Sequence, residues 1–598
     1  MSKFLRSILP CKTIVLGGVL ALSLAACSGG SGPSDSGTTA AGQNLGLTAG
    51  VDTVVTPPPP TGNGLGVAPV TPDISQAVLS LPANIANGSV VSLLCGRTYQ
   101  GTLNLGGKSN VTVNTAGTCG KAVVTPGQAV TGWTQYQGNV YSAPIAFDAA
   151  QVIVDGQPAS MAHWPSRSQT WATASGSSAT SLSYAVPNTD MVGAKLVFKA
   201  YDWAIERRNV TAYSSGVMTL ADPGNPSFGG YPLSGAVSFY VEGKLWMLDE
   251  PGEWAIRGGR LYVWTPDGKS PEGRVWASPD SHAIEASNSS GVTIDNVRLF
   301  GGSNGINANS AANLKVTNTE IANSSENGIV NTGGSGLTVD VSSIRNSRHD
   351  AIIVKWGGGN ESITNSTIDA SGVLGMPTNA RGAIDLTLGS GPTIAGNHVT
   401  NSGYIGIRFF RNASVSNNMV DAACQVLTDC GGMYVAAPDK LPLNTRITGN
   451  TVANTSPAQR LSWGLQMDDH ANAVTVSNNT FSGNANGIMI FDGFGNTING
   501  NSFDTSMQAH VQMAEDGTTA SVRNNSVTGN TFVTRNAEET YRVSSDIGAA
   551  SVAQFGTYNN NTYATSSSIF ANFNGAAINF AQWKTNAGQD AGSVLKAP

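Results

Sequence analysis

Between Asn304 and Asp516 one phrase keeps returning. A small residue, usually Gly, precedes a short apolar strand, and an Asn-rich turn then leads to a second short strand. The strand openings read Gly305-Ile306-Asn307, Gly328-Ile329-Val330, Ala351-Ile352-Ile353, Ala383-Ile384-Asp385 and Gly406-Ile407-Arg408. They continue as Gly432-Met433-Tyr434, Gly464-Leu465-Gln466, Gly487-Ile488-Met489 and His510-Val511-Gln512. Successive openings stand between 23 residues apart (Ile306 to Ile329) and 32 apart (Ile352 to Ile384). A period in that window marks a solenoid rather than a compact globule. Strands this short, punctuated by Gly and Asn turns, suit the coils of an all-β, right-handed parallel β-helix. Such a fold presents one long ridged sheet to solvent, and function is expected there.

A second column supports the register. Asn397, Asn418, Asn450, Asn479, Asn501 and Asn525 each sit two residues before an apolar position. Asn tolerates left-handed turns, and stacked amides bond to one another along a coil axis. These residues are read as structural. The 71 glycines fit a turn-dense solenoid, and nothing in a net charge of −6 with only 12% charged residues suggests a nucleic-acid surface.

The N-terminus carries Lys3, Arg6 and Lys12, then an apolar stretch from Ile14 to Ala26. That is the layout of a secretory signal, assigned to residues 1–26. Its ending, Leu24-Ala25-Ala26-Cys27, resembles the bacterial lipobox, which implies cleavage before Cys27 and lipidation of that cysteine. Ser28 after the cysteine resembles the outer-membrane sorting pattern, so the expected location is the bacterial envelope, with the membrane touched through the lipid alone. Residues 27–75, rich in Gly, Ser, Thr and Pro, form a tether that cannot bury enough apolar surface to fold. In an oxidising compartment Cys95 with Cys119 and Cys424 with Cys430 are natural disulfide pairs. A metal site is the rival use, but no His stands at ligand spacing, and no metal is expected.

Short alternating strands place the first, irregular coils at 76–150. Residues 151–281 break the period and hold most of the tryptophans, including Trp164, Trp203, Trp254 and Trp276. They are read as an inserted β-rich subdomain whose aromatics form a small core or a sugar-stacking platform, core being the commoner fate. Within it Trp254 to Trp264 reads as a hairpin turning at Gly258-Gly259. Regular coils follow at 282–565. A cap at 566–598, with Phe580 and Trp583, closes the open end.

Along each coil the residue opening the strand points inward and the next points out. The outward second column runs Asn307, Val330, Ile353, Asp385, Arg408, Tyr434, Gln466, Met489 and Gln512. The fourth runs Asn309, Thr332, Lys355, Thr387, Phe410, Ala436, Asp468, Phe491 and Ala514. Trp356, Arg411, Asp469 and Asp492 lie just beyond, and the turns before the strands add Arg348, His349, Asp350, Arg381 and Asp429. In a chain so poor in charge, this concentration on the central coils predicts a binding strip for a polysaccharide.

Two phrases in successive coils sharpen the reading: Leu427-Thr428-Asp429-Cys430-Gly431-Gly432-Met433-Tyr434 and Trp463-Gly464-Leu465-Gln466-Met467-Asp468-Asp469-His470. They resemble the Asp-Gly-Gly and Leu-Asp-Asp phrases of carbohydrate-active right-handed β-helix proteins, with Cys430 and Met467 interrupting the wording. That group includes glycoside hydrolases, polysaccharide lyases and proteins of unknown activity. Hydrolysis needs a carboxylic acid to protonate the leaving oxygen and a carboxylate as nucleophile or base. Asp468 or Asp469 is the first candidate and Asp429 its partner, with Asp385 also in reach and Arg408 or His349 to orient a carboxylate. Lys355, Trp356, Arg411, Tyr434, Gln466 and Asp492 are the candidate sugar contacts. Hydrolysis needs no cofactor. The alternative, β-elimination from or epimerisation of a uronic acid polymer, needs a base such as Lys355 or Arg408, and an Arg or an Asp-held Ca²⁺ to neutralise the substrate carboxylate. A non-catalytic exopolysaccharide-binding protein is the third reading.

Overall fold

The computed structural model describes residues 78–597 except 175, 223–230, 232, 234, 374–381, 457–460, 505, 518, 536–537 and 566. The signal, Cys27, the tether up to residue 75 and Arg381 lie outside the described residues.

A typical coil contributes a leading strand (Ile329–Thr332), a middle strand (Thr338–Asp340) and a closing strand (Ser343–Arg345). Among the described residues, stacking of the coils builds three long sheets of 14, 13 and 15 strands, parallel except for the final Ala576–Ile578 of the leading sheet. The fold is a right-handed parallel β-helix. In the leading sheet Ile306, Ile329, Ile352, Ile384, Ile407, Met433, Leu465, Ile488 and Val511 pair in unbroken register. All nine are fully buried. The small residue before each has a packing cause. A Cβ on Gly487 would stand 2.3 Å from the His510 carbonyl oxygen, so the backbones of adjacent coils meet there.

Side-chain amides bond from Asn397 to Asn418, Asn450, Asn479, Asn501, Asn530 and Asn561 in turn, at 2.9–3.2 Å. Each is buried and also satisfies a backbone group, as when Asn450 donates to the Val415 carbonyl oxygen at 3.0 Å. Asn525 is a correction. It opens a middle strand and takes a bond from Asn496 in a separate ladder, while Asn530 holds its expected place. The same Asn-x-apolar wording serves both turns of a coil, so spacing alone cannot separate them.

The insertion starts earlier than the composition suggests. Coil strands end with Ala122–Thr125, and Gln128–Ala129 already pairs with Val275–Ser278. Strands Thr134–Gln137 and Val140–Pro144, expected among the first coils, belong to an antiparallel sheet with Arg260–Trp264. Alternating strands look alike in either setting. The Gly258-Gly259 hairpin forms as expected, both glycines having φ near +60°.

One sheet of the insertion faces two ways. Its strands Lys195–Tyr201, Ala204–Ser214 and Val237–Glu242 turn Leu196, Phe198, Val210, Phe239 and Val241 into a private core. The opposite face gives Val197, Ile205 and Tyr240 to the core of the β-helix. The insertion is therefore packed on the coils, and the outward strip is not the open sheet that the repeat implies. Asp385 and Gln466 are buried.

Both disulfides, Cys95–Cys119 and Cys424–Cys430, are formed. The helix Phe580–Ala587, capped by Asn579 and Gln582, covers the last coil with buried Trp583.

Candidate active site

Strands Cys430–Ala436 and Ser462–Asp468 are neighbours in the leading sheet, pairing Tyr434 with Gln466 and Ala436 with Asp468. Asp429 precedes the first strand and Asp469 follows the second, both in left-handed backbone at φ 54° and 36°. Aspartate tolerates that region because its short side chain bonds locally. The turn carrying Asp429 is pinned twice more. The Cys424–Cys430 disulfide spans it, and the Tyr404 hydroxyl donates to the Asp429 carbonyl oxygen at 2.9 Å.

The carboxylates are held by neighbours in the strip. Gln466 Nε2 donates to Asp429 at 2.9 Å, and the Tyr434 hydroxyl donates to Asp468 at 3.1 Å. The backbone N–H of Asp469 donates to the other Asp468 oxygen at 2.9 Å. Burial, then the charges of Asp469 and Asp429, push the Asp468 carboxyl up to about 8. Asp468 therefore carries a proton at neutral pH. Burial also raises Asp429, with Gln466 opposing and Asp202 and Asp469 adding to the rise. Asp469 is raised by burial and by Asp492, against His470. Asp429, Tyr434, Asp468 and Asp469 all remain partly exposed, so a substrate can reach them.

Arg408 supports the cluster from one coil back. Its guanidinium lies over the Tyr434 ring at 5.2 Å and stands 3.8 Å from buried Asp385. Burial works against its charge, but Asp385, Tyr434, Tyr404 and Asp350 outweigh it and raise its pKa. Asp385 accepts the Thr387 hydroxyl and is fully buried, which keeps it from substrate. It is a buttress for Arg408, not a catalytic acid.

Five other candidates fall elsewhere. His349 lies in the turn before the strand Ile352–Lys355 and Lys355 ends that strand, three coil steps from Tyr434. Trp356, next to Lys355, is 58% exposed. Arg411 pairs with Asp439 and stacks 4.5 Å from Phe410, beyond the end of the strand Ile407–Arg408. Asp492 is buried, accepts the Ser521 hydroxyl at 2.5 Å and acts on Asp469 through its charge.

Sequence reasoning missed the insertion's contribution. The backbone N–H of Thr428 donates to the Asp202 carbonyl oxygen at 3.0 Å, which brings the tip of the Lys195–Ser214 hairpin to the Asp429 turn. Tyr201 and Trp203 flank Asp202 and stack on each other, centroids 4.8 Å apart. No local signal links residues separated by 226 positions. Because the Asp202 charge raises Asp429, Asp202→Asn should move the acidic limb of a pH–rate profile to lower pH. The amide leaves the backbone bond to Thr428 in place, so the melting temperature should hold. An unmoved limb would show that Asp429 does not set it.

Fold and site together define a right-handed parallel β-helix with a protonated aspartate in a carboxylate cluster on its leading sheet. The family described as right handed beta helix region matches residues 282–452. Among solved structures, one described as a glycoside hydrolase is 12% identical, with 74% of this chain and 90% of that chain covered at a TM-score of 0.50. The A-module of the mannuronan C-5 epimerase AlgE4 from Azotobacter vinelandii is 13% identical, covering 53% and 84% at a TM-score of 0.34. The catalytic domain of a GH87 α-1,3-glucanase is 9% identical, covering 78% and 91% at 0.27. Identities this low show the fold alone. No curated protein matches the sequence.

Proposed function

We propose that the chain is a carbohydrate-active enzyme that hydrolyses glycosidic bonds of a polysaccharide. The observation carrying this reading is the Asp468 carboxyl, pushed up to about 8 beside two further aspartates on one strand pair. Asp468 is the general acid that protonates the leaving oxygen. The Tyr434 hydroxyl keeps that carboxyl oriented, and its own pKa, raised well above the usual phenol value, leaves it a donor throughout. Asp429, oriented by Gln466, is the carboxylate that attacks or activates water, with Asp469 tuning both. Tyr201 and Trp203 offer aromatic surface to a sugar ring at the rim.

Elimination fits less well. Its base at this site would be Arg408, and the carboxylate and phenols around that residue keep it charged. The neighbour described as a glycoside hydrolase, which shares the fold over most of its length, is in keeping with the hydrolytic reading. The Leu24-Ala25-Ala26-Cys27 ending supports a place for the activity at the bacterial envelope, on a lipid anchor.

The test is a polysaccharide panel read in two channels. New reducing ends without ultraviolet absorbance are expected. Absorbance from a new double bond would replace the reading with elimination, and silence in both channels with binding retained would make the protein a binder.

A further inference from the structure

A second charged region lies where the inserted sheet faces the coils. Lys195, Val197, Arg207, Tyr240 and Glu242 share the face of the inserted sheet that packs on the coils, since Lys195 pairs with Glu242 and Val197 with both Arg207 and Tyr240. Arg348, in the coil turn leading to Ile352–Lys355, is near enough for its charge to act on Glu242. Glu242, 3% exposed, accepts Arg207 Nε at 2.5 Å and is the carboxylate that Arg207, Arg348 and Lys195 share. Asp148 acts more weakly on Lys195. Three cations thus face one well-buried carboxylate whose hydrogen bonds go to Arg207. Among the described residues, the structure gives Lys195 and Arg348 no side-chain hydrogen bond or ion pair of their own.

The excess of positive charge is felt next door. Burial and the charges of Arg348, Arg207 and Lys355 push the His349 imidazole down to about 3. Arg348 itself is partly desolvated, which lowers its pKa against the pull of Glu242. In a chain with only 12% charged residues, an unbalanced group of cations between the inserted sheet and the coils costs desolvation and repulsion that a bound anion would offset. The hairpin Lys195–Ser214 joins the two poles, with Lys195 and Arg207 at one end and Asp202 at the Asp429 turn. Three coil steps, about 14 Å, separate the leading strand after Arg348 from the strand after Asp429.

We propose that Lys195 and Arg348, with Arg207 behind them, form a subsite for a carboxylate or sulfate group on the polysaccharide, so that the substrate is an acidic polymer whose charged unit seats about three coils from the bond cleaved. The inference rests on the carbohydrate-active reading. Arg348 supplies a planar fork of donors for the anion, and Lys195 a mobile point charge.

The experiment is affinity electrophoresis of the full chain in gels containing polygalacturonate, carboxyl-reduced polygalacturonate, chondroitin sulfate or dextran. Retardation by polygalacturonate or chondroitin sulfate, and not by dextran or the reduced polymer, is expected, and the better of the two identifies the anionic group. Arg348→Gln and Lys195→Gln should each weaken that retardation about tenfold at unchanged melting temperature. Equal binding of acidic and neutral polymers, or acidic binding that survives both substitutions, would overturn the subsite. If Arg348→Gln fails to fold, Lys195→Gln alone decides, together with the His349 ring resonances. A polygalacturonate or chondroitin sulfate oligomer should raise the His349 pKa, and a dextran oligomer should not. Failure here is separable from failure of the hydrolytic reading. Cleavage of an acidic polymer with unaltered binding in the variants sinks only the subsite, whereas charge-dependent binding without product sinks only the hydrolase.

Discussion

Asp468→Asn should lower turnover by about 10²–10⁴-fold, the usual contribution of a positioned general acid. The amide can still accept from the Asp469 N–H, but it has no acidic proton to give. Stability should move the other way. The folded pKa of Asp468, about 8, lies above the ordinary aspartate value of about 3.9, so its stabilising contribution is complete below about pH 4 and is lost as pH rises through 8. Asn has no such dependence. The melting temperature of the variant should match that of the wild type near pH 4 and exceed it increasingly up to pH 8. Wild-type activity should fall above about pH 8, as the acid ionises. A variant that keeps its specific activity and melts lower at neutral pH would mean that Asp468 merely caps a turn.

Asn450→Ala should be the most damaging small substitution in the coils. Asn450 accepts from the backbone N–H and the side-chain amide of Asn418, both at 2.9 Å. It donates to the Val415 carbonyl oxygen and to the side-chain oxygen of Asn479. Alanine leaves these buried groups without partners, at about 1–3 kcal/mol each if taken singly. Neighbouring groups relax together, so a total on the order of 4 kcal/mol is expected, read by denaturant unfolding. Asn450→Ser should lose less, because Ser366 fills the equivalent turn three coils earlier, accepting the Ser342 N–H at 3.1 Å. A loss under about 1 kcal/mol for Asn450→Ala would show that the ladder is not a principal support of the coils.

The parts of the fold that were legible share one cause. Parallel stacking puts chemically equivalent positions above one another, so a packing demand made once is made in every coil. Ile306, Ile329 and Ile352 repeat because each must fill the same slot. Asn418, Asn450 and Asn479 repeat because each must satisfy the same turn. Where two slots have the same demand, the pattern is ambiguous, as Asn525 shows. The positions of Asp429 and Asp468 were legible because one precedes and the other ends a strand already in register. His349 was misplaced because a turn residue carries no repeat telling which charges it will face, and the structure sets it among Arg348, Arg207 and Lys355.

By itself, then, the sequence determined the helical architecture, the leading-sheet register and the strand pair that carries Asp429 and Asp468. Each follows from local periodicity in one chain direction. Only the tertiary structure decided that the inserted sheet would lie on the coils and carry Asp202 to the Asp429 turn, and that Asp385 and Gln466 would be buried. It also decided that Lys195 and Arg207 would meet Arg348. Those meetings join residues more than a hundred positions apart across a face with no repeat. The packing of Val197, Ile205 and Tyr240 against the coil core brings them about, because that apolar face has to be buried somewhere.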